Sequence, residues 1–467
     1  MERKYLQNLE NWYNDPFRKP MLIYGARQVG KTTLIKDIFA KKYFQKVIYI
    51  DFKIDLNERI YIKNHVNAKD IINYLSIRKN MIIDKETLII FDEIQECMPC
   101  LTSLKYFEQD FKEIPVIATG SMIRIKMHQI EYQGNKIKLD SEIEASNQDG
   151  NNNYMFPTGK IDSFEMYPMD FNEYLYNRNR TLYNYLSDSF NNDNKVLDNE
   201  MHNMAMSCVF EYMLVGGMPE IVDIYIKTNS YPRAKQNLMV LYNDYLNDMS
   251  LFQISQETIM RTKNVFNNVF KELNKENKNF KISEIEKGKR FRDYMYPLDW
   301  LSVGNIIYKS NQLKEKVTYP LSNEEDSLFR IYLSDLGYFS LQSGLGAENF
   351  LTDLKNNTLS GIFFENFVAC ELKSRGYNLF YWKGKSTSEL EFIIQLDGKI
   401  VPFDAKKNKG SLDSLYKYRE TNKNELAIKV SQNKYGYNDD NKLLTLPFYY
   451  LGFYLDDIKL CCTHNNK

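Results

Sequence analysis

The sequence predicts an α/β protein built on a parallel β-sheet and extended by further domains. The sheet is predicted by two apolar runs, residues 21–24 and 87–91, because each run is directly followed by residues that commonly end a strand of a parallel sheet. The first run leads into GARQVGKT at residues 25–32, and the second ends in the acidic pair Asp92 and Glu93. The further domains are predicted by the length of 467 residues, which requires about two to four separate hydrophobic cores.

The loop at residues 25–32 matches the pattern G-x-x-x-x-G-K-[ST] in the strand–loop–helix context that this pattern requires. Its glycines allow successive N–H groups to point at phosphate oxygens, and the next helix adds its positive N-terminal end. Lys31 is expected to reach the outer phosphates, and Thr32 to give its hydroxyl to Mg²⁺. ATP and Mg²⁺ are the expected cofactors, and ATP is favoured over GTP because no N-K-x-D motif occurs downstream. The predicted nucleotide-binding residues are Gly25, Ala26, Arg27, Gln28, Val29, Gly30, Lys31, Thr32 and Thr33.

The acidic pair after residues 87–91 predicts the metal-binding and hydrolytic part of the same site. Asp92 is expected to join Thr32 as the magnesium site, and Glu93 is expected to polarise the attacking water. A carboxylate beside the metal ligand is the base that hydrolysis needs. The distance along the chain between the loop and this pair leaves room for one more strand and helix, and residues 46–50 are the expected strand.

A third apolar strand is predicted over residues 115–121, and small polar side chains end it. Ligands of open α/β sheets lie at the carboxyl ends of the strands, so Ser121 or Thr119 is expected to contact the γ-phosphate or the water. The alternative is that Ser121 only caps the strand. Arg124 follows as an arginine finger or as an ordinary surface arginine. The expected catalytic residues are Glu93, Lys31 and Ser121.

Five segments carry a resemblance to a known family: GARQVGKTTL, LIIFDEIQE, VIATGS, SFEMYPMDFNEYL and YMLVGGMPEIV. They resemble the AAA+ superfamily ATPases of bacteria and archaea that carry a C-terminal domain of unknown function, and the resemblance covers most of the chain. It implies a helical lid over the nucleotide and a restriction-endonuclease-like C-terminal core. The family more often has arginine where this sequence has Lys160 after Gly159.

The predicted domains follow from changes in pattern along the chain. Residues 1–175 form the P-loop AAA+ core, interrupted near 128–156 by a polar low-complexity insertion. Residues 176–262 show helical spacing and form the lid, or a plain helical packing domain. Residues 263–345 resemble a winged helix, in which the basic segment 287–292 is either a phosphate-backbone patch or a solvated turn. Residues 346–467 form the restriction-endonuclease-like domain.

The C-terminal domain contains a second candidate site. Asp397 and Gly398 predict a tight hairpin turn between two strands. Strand periodicity places Asp404 and Lys406 on one face, within reach of the partner strand. Two carboxylates and a lysine in this arrangement hold a divalent metal and activate water for phosphodiester cleavage. The predicted second metal site is Glu365, Glu391, Asp404 and Lys406. The resembled family more often has aspartate at 391 and glutamate at 404, and the alternative is a binding module without nuclease activity.

Composition limits the cell compartment and the partners. No apolar stretch is long enough to cross a bilayer and no secretory signal is recognisable, so a cytoplasmic protein without membrane contact is expected. The six cysteines are expected to be reduced, and the lone Cys97-x-x-Cys100 lacks a second ligand pair for zinc. The 61 basic and 61 acidic residues cancel, so nucleic acid would bind only through a local patch, on the winged helix or the C-terminal domain. Two functions stay open, an ATP-driven enzyme acting on nucleic acid and an ATP-dependent switch for a protein partner, and an oligomer fits either.

Overall fold

A computed structural model describes residues 1–121, 156–192, 194–251, 255–322, 324–346, 359–384, 388–396, 398–406 and 412–464. The chain divides into two compact units, Glu2–Tyr167 and Pro168–Lys467, and Met1 is grouped with the second. Arg124 and residues 128–155 of the predicted insertion lie outside the described residues. In the described part of the chain, no helix is long and apolar enough to cross a membrane.

The first unit is an α/β fold around five parallel strands in the order β2-β3-β4-β1-β5. This confirms the predicted parallel-sheet core. The strands are β1 Met21–Gly25, β2 Lys46–Asp51, β3 Thr87–Asp92, β4 Val116–Gly120 and β5 Asp162–Met166. The helices are α1 Tyr5–Asn14, α2 Thr33–Ala40, α3 Lys41–Tyr43, α4 Leu56–Asn64, α5 Ala68–Lys79 and α6 Met98–Asp110, of which α2 is wound as a π-helix.

Helices cover both faces of this sheet, which explains why β3 and β4 are buried along their whole length. Ile89 and Phe91 of β3 pack with α4, α5 and α6 on one face. Leu88 and Ile90 of the same strand pack with α1 and α2 on the other face. Because all five strands are parallel, the loop after β1 and the polar residues after β3 and β4 lie at one edge of the sheet.

The second unit combines a helical segment with an eight-stranded sheet in the order β12-β13-β11-β10-β9-β8-β6-β7. Its strands are β6 Ile307–Leu313, β7 Glu324–Leu333, β8 Leu379–Lys383, β9 Glu389–Leu396, β10 Lys399–Lys406, β11 Ala427–Ser431, β12 Gly436–Asn438 and β13 Leu443–Pro447. Its helices are α7 Phe171–Arg178, α8 Arg180–Asn191, α9 Asn199–Val215, α10 Pro219–Thr228, α11 Tyr231–Leu251, α12 Gln256–Asn267, α13 Val269–Leu273, α14 Ile282–Ile285, α15 Phe291–Val303, α16 Leu336–Ser343, α17 Ser360–Lys373, α18 Asp413–Thr421 and α19 Leu451–His464.

The structure divides the chain differently from the predicted domains. The first unit ends at Tyr167, so α7 belongs to the second unit although the predicted core extends to residue 175. The antiparallel pair β6 and β7 lies in the segment predicted as a winged helix, yet β6 also pairs in parallel with β8, with Ser310 opposite Leu379. The predicted boundary at 345 therefore falls inside one sheet, because backbone hydrogen bonds join strands on its two sides.

A tight turn between α9 and α10 fixes the helical part of the second unit. The N–H of Gly217 donates to the Asp335 carboxylate at 2.6 Å, and the N–H of Met169 donates to the carbonyl of Gly217 at 2.7 Å. Asp335 also caps α16 through the N–H of Tyr338. Burial raises the pKa of Asp335 to about 6, although these N–H groups favour the charged form. The turn thus joins three segments that are distant in sequence.

We expect Gly217→Ala to lower the free energy of unfolding of the second unit by about 3 kcal/mol or more. A Cβ at this position would lie 2.1 Å from the carbonyl oxygen of Met169, a backbone atom that cannot rotate away. Chemical denaturation measures the loss. Gly361→Ala in α17 is the matched control, since a Cβ there meets nothing within 4 Å and helix propensity favours alanine by about 1 kcal/mol. Equal stability of the two variants would show that the turn tolerates a side chain.

Candidate functional site

The loop that follows β1 has the backbone conformation of a close-fitting cradle. Gly25 and Gly30 have positive φ angles of 144° and 88°, and Gln28 between them has a φ of 60°. A Cβ at Gly25 would lie 2.1 Å from the carbonyl oxygen of Met166 in β5. Glycine is therefore required at residue 25 both by its φ angle and by the neighbouring strand. The predicted nucleotide-binding residues all lie in this loop and at the start of α2.

Lys31 lies inside the loop with its ammonium group bound to the loop's own backbone. Its side chain is 7% exposed, and Nζ donates to the carbonyl oxygens of Gly25 at 3.0 Å and Ala26 at 2.7 Å. Burial lowers the pKa of Lys31 to about 8, while the charges of Glu93 and Asp92 oppose that shift. The loop therefore holds a positive charge that is poorly solvated and that an anion would stabilise.

Asp92 at the end of β3 is the centre of a hydrogen-bond network. Its Oδ2 accepts the hydroxyl of Thr32 at 2.7 Å and the hydroxyl of Tyr49 at 2.8 Å. Its Oδ1 accepts the hydroxyl of Thr119 at 3.1 Å and the N–H of Glu93 at 2.9 Å. The two residues predicted as the magnesium site, one from the loop and one from β3, are thus in direct contact.

Tyr49 was not among the predicted site residues. Burial and the neighbouring charge of Asp92 raise the pKa of its hydroxyl well above the usual value, so this group remains a hydrogen-bond donor. The signal in the sequence is a tyrosine within the apolar run of residues 46–50, two positions before Asp51. That signal is weak, because tyrosine is common in strands and strand pairing decides what it contacts.

Glu93 is held by groups that the sequence reasoning also missed. Nζ of Lys53 lies 2.8 Å from Oε2 of Glu93, and the side-chain amide of Gln95 donates to the same oxygen. Burial by itself raises the pKa of Glu93, but Lys53 and Gln95 outweigh it and bring the pKa below the usual value. Glu93 also has a positive φ of 53°. Its carboxylate is therefore ionised and fixed at the edge of the sheet.

Ser121 follows β4 at the same edge of the sheet. Its side chain is buried, and its hydroxyl has no hydrogen-bond partner among the residues that the structure describes. Thr119, two residues earlier, contacts Asp92 instead. Lys160, where the resembled family more often has arginine, forms an ion pair with Glu108 at 2.9 Å.

The donor groups at this edge fit a nucleoside triphosphate with magnesium. A hydroxyl and a carboxylate in contact, Thr32 and Asp92, are the oxygen ligands that Mg²⁺ takes beside phosphate. The glycines of the loop allow backbone N–H groups to approach phosphate oxygens, and α2 begins immediately after it. Lys31 supplies a buried positive charge, and Glu93 supplies an ionised carboxylate for water. The arrangement can therefore bind phosphates and activate water.

The second candidate site is partly described. Glu365 on α17 is buried and forms an ion pair with Lys278. Burial raises the pKa of Glu365, and Glu391 raises it further, while Lys278 opposes both. The β9–β10 ladder ends at Phe392 opposite Phe403, and Glu391 and Asp404 are the next residues on the two strands. The side chain of Lys406 lies outside the described residues.

No group of three or more histidine, cysteine or acidic side chains is arranged to hold a metal ion within the part of the chain that the structure describes. Cys97 and Cys100 are both buried. The basic segment 287–292 runs into the first two residues of α15, and Arg290 and Arg292 are exposed. The ring of Phe291 packs against Phe329 of the β6–β7 hairpin, with ring centroids 5.8 Å apart.

Comparisons with known proteins place these features in context. Residues 17–175 match a family model described as an AAA domain, and residues 206–349 and 360–449 match two domains of unknown function, DUF8612 and DUF4143. An uncharacterized protein of Methanocaldococcus jannaschii, MJ1544, is 25% identical over 421 residues, which cover 88% of this chain and 78% of that protein. A solved structure, the Walker-type ATPase PABY2304 of Pyrococcus abyssi, aligns with a TM-score of 0.40 and 15% identity over 73% of this chain and 95% of its own. The AAA-domain match and the geometry together support a P-loop ATPase core in residues 17–175.

Proposed function

We propose that this protein binds and hydrolyses Mg-ATP at the loop of residues 25–32 and couples the nucleotide state to its second unit. The observation that carries the proposal is the hydrogen bond between Thr32 and Asp92, which lies beside the buried ammonium of Lys31. These three groups come from the loop and from a strand that is not adjacent to it in sequence. Their convergence at one sheet edge is what a metal–phosphate site requires.

Each residue of the site has a defined task in this proposal. Thr32 and Asp92 would hold Mg²⁺, and the bound metal would neutralise negative charge on the phosphate oxygens. Lys31 exchanges its two backbone acceptors for the outer phosphates. Glu93 orients a water molecule and accepts its proton. Ser121, whose buried hydroxyl points to no described partner, donates to the γ-phosphate or the water.

Phosphate release from ATP tests the proposal directly. The wild-type protein is expected to release phosphate in the presence of Mg²⁺ and to lose this activity when EDTA removes the metal. The carboxylate of Asp92 and the hydroxyl of Thr32 then lack the cation through which they act on phosphate. Restoring Mg²⁺ in excess over EDTA is the control and should restore the rate. Activity that is unchanged in EDTA would contradict the assigned metal site.

A second candidate function is an ATP-controlled nuclease in the C-terminal part of the chain. The supporting observation is that Glu365 and Glu391 lie close enough for the charge of one to raise the pKa of the other. The order of elements from α17 to β11, α-β-β-β-α-β, also suits a restriction-endonuclease-like core. The alternative is a recognition module that serves as a switch for a protein partner or binds nucleic acid without cutting it.

Cleavage of labelled DNA and RNA separates these alternatives. The assay contains Mg²⁺ or Mn²⁺, with and without ATP, and compares the wild type with Asp404→Ala. Cutting that disappears in the variant supports the nuclease, and its dependence on ATP shows how the two activities are coupled. An absence of cutting in every condition favours the recognition module.

A further inference from the structure

The N-terminal segment of the first unit holds the phosphate loop from outside. The side chain of Arg3 is buried, with 6% exposed. Its guanidinium donates to the carbonyl oxygen of Val29 at 2.5 Å and to the carbonyl oxygen of Tyr167 at 2.7 Å. Val29 lies within the loop, and Tyr167 follows directly after β5. One buried cation therefore ties the loop to the end of the neighbouring strand.

Tyr5 contacts both Arg3 and the end of β5. Its hydroxyl accepts the N–H of Tyr167 at 3.1 Å, and its ring stacks on Phe164 of β5 with centroids 5.7 Å apart. The guanidinium carbon of Arg3 lies 5.3 Å from the centre of the Tyr5 ring. These contacts restrict the rotamers of Arg3, so the entropy cost of holding the loop carbonyl is reduced.

The contact with Val29 has a consequence for the inner surface of the loop. The peptide between Val29 and Gly30 is trans, so its C=O and N–H groups point in opposite directions. Because the Val29 carbonyl points at Arg3, the N–H of Gly30 points away from Arg3. In loops of this pattern, N–H groups on the inner side contact the phosphates.

We infer that Arg3 is a positioning residue for the nucleotide site. It orients the N–H of Gly30 toward the phosphate that the amides of such a loop bind. The inference rests on the proposed ATP binding and adds to it a residue that no motif contains. Its ligand class is nucleotides with a β-phosphate, because the amides of such a loop cradle the α- and β-phosphates and AMP has only the first of these. Arginine is required, since a planar fork can bond two carbonyls at once and an ammonium cannot do so with the same geometry.

Titration calorimetry of Arg3→Met with ATP, ADP and AMP tests the inference. The affinities for ATP and ADP are expected to fall together by about tenfold or more, while the affinity for AMP changes by less than about threefold. Arg3→Lys keeps the charge but reaches only one carbonyl, so it is expected to lose less. Arg18→Met is the matched control, since Arg18 also donates to two backbone carbonyls, those of Tyr13 and Glu113, which lie outside the loop, and it should bind all three nucleotides like the wild type.

Two results would overturn the role of Arg3. One is ATP and ADP binding by Arg3→Met within about twofold of the wild type, and the other is an equal loss for ATP, ADP and AMP, which indicates a general structural effect. If Arg3→Met does not fold, Arg3→Lys provides the same three-nucleotide comparison. Failure of the wild type to bind any of the three nucleotides would instead overturn the proposed function on which the inference rests.

Discussion

Glu93→Gln is expected to leave ATP binding intact while the rate of ATP hydrolysis falls by about a hundredfold or more. Glutamine keeps the size of the side chain and can still accept hydrogen bonds from Lys53 and Gln95, the two groups that hold Glu93. It cannot accept a proton from water at neutral pH. Phosphate release gives the rate, and titration calorimetry gives the dissociation constant, which should stay within about threefold of the wild type.

Glu96→Gln is the matched control for this substitution. Glu96 is an acid three residues downstream whose carboxylate lies 3.8 Å from the guanidinium of Arg59. The same change in charge there should leave hydrolysis near the wild-type rate. If Glu93→Gln retained more than about a tenth of the wild-type rate, Glu93 would not be the residue that activates water. Loss of ATP binding in Glu93→Gln would show that the carboxylate instead supports the loop.

Lys31→Met is expected to weaken ATP binding by about a hundredfold or more, or roughly 2.7 kcal/mol. The substitution removes the buried ammonium of the loop, which donates to the carbonyls of Gly25 and Ala26. The folded protein should not be weakened, since burial already disfavours the charged form of Lys31. Calorimetry with Mg-ATP and a thermal denaturation scan measure the two effects.

Lys41→Met is the control, because Lys41 is exposed and pairs with Asp37, which lies outside the loop. It should bind ATP like the wild type.

The lowered pKa of Lys31, about 8, adds a pH dependence to ATP binding. The lysine loses its proton as pH rises above about 8, so the affinity of the wild type for ATP should fall there. For folding the sign is opposite, since the unfolded chain then binds more protons and stability rises with pH between about 8 and 10.5. Unchanged affinity in Lys31→Met would remove the nucleotide site from this loop.

Local pattern was sufficient for the backbone of the site. The strand before Gly25, the glycine positions and the helix after Thr33 all follow from residues that are adjacent in sequence. The strand that ends in Asp92 was also predictable, because a run that is buried on both faces reads as continuous apolar sequence. The hairpin around Gly398 has the same local origin.

Contacts between distant segments were not predictable in the same way. Tyr49, Lys53 and Arg3 each contact the site, but none belongs to a motif. Their roles depend on which strands are neighbours, and a single sequence does not show that β4 lies between β1 and β3. The hydrogen bond from Thr119 to Asp92 results from this order, since the two residues end adjacent strands.

By itself, the sequence determined the chemistry of the loop and the acidic pair, and the local conformations that present them. Only the tertiary structure decided which side chains hold Asp92 and Glu93, how Arg3 reaches the outer side of the loop, and that β6 and β8 share one sheet across a predicted domain boundary. The physical reason is the range of the interactions. Turn and helix preferences act over a few residues, whereas strand pairing and buried ion pairs join residues that are far apart in the chain.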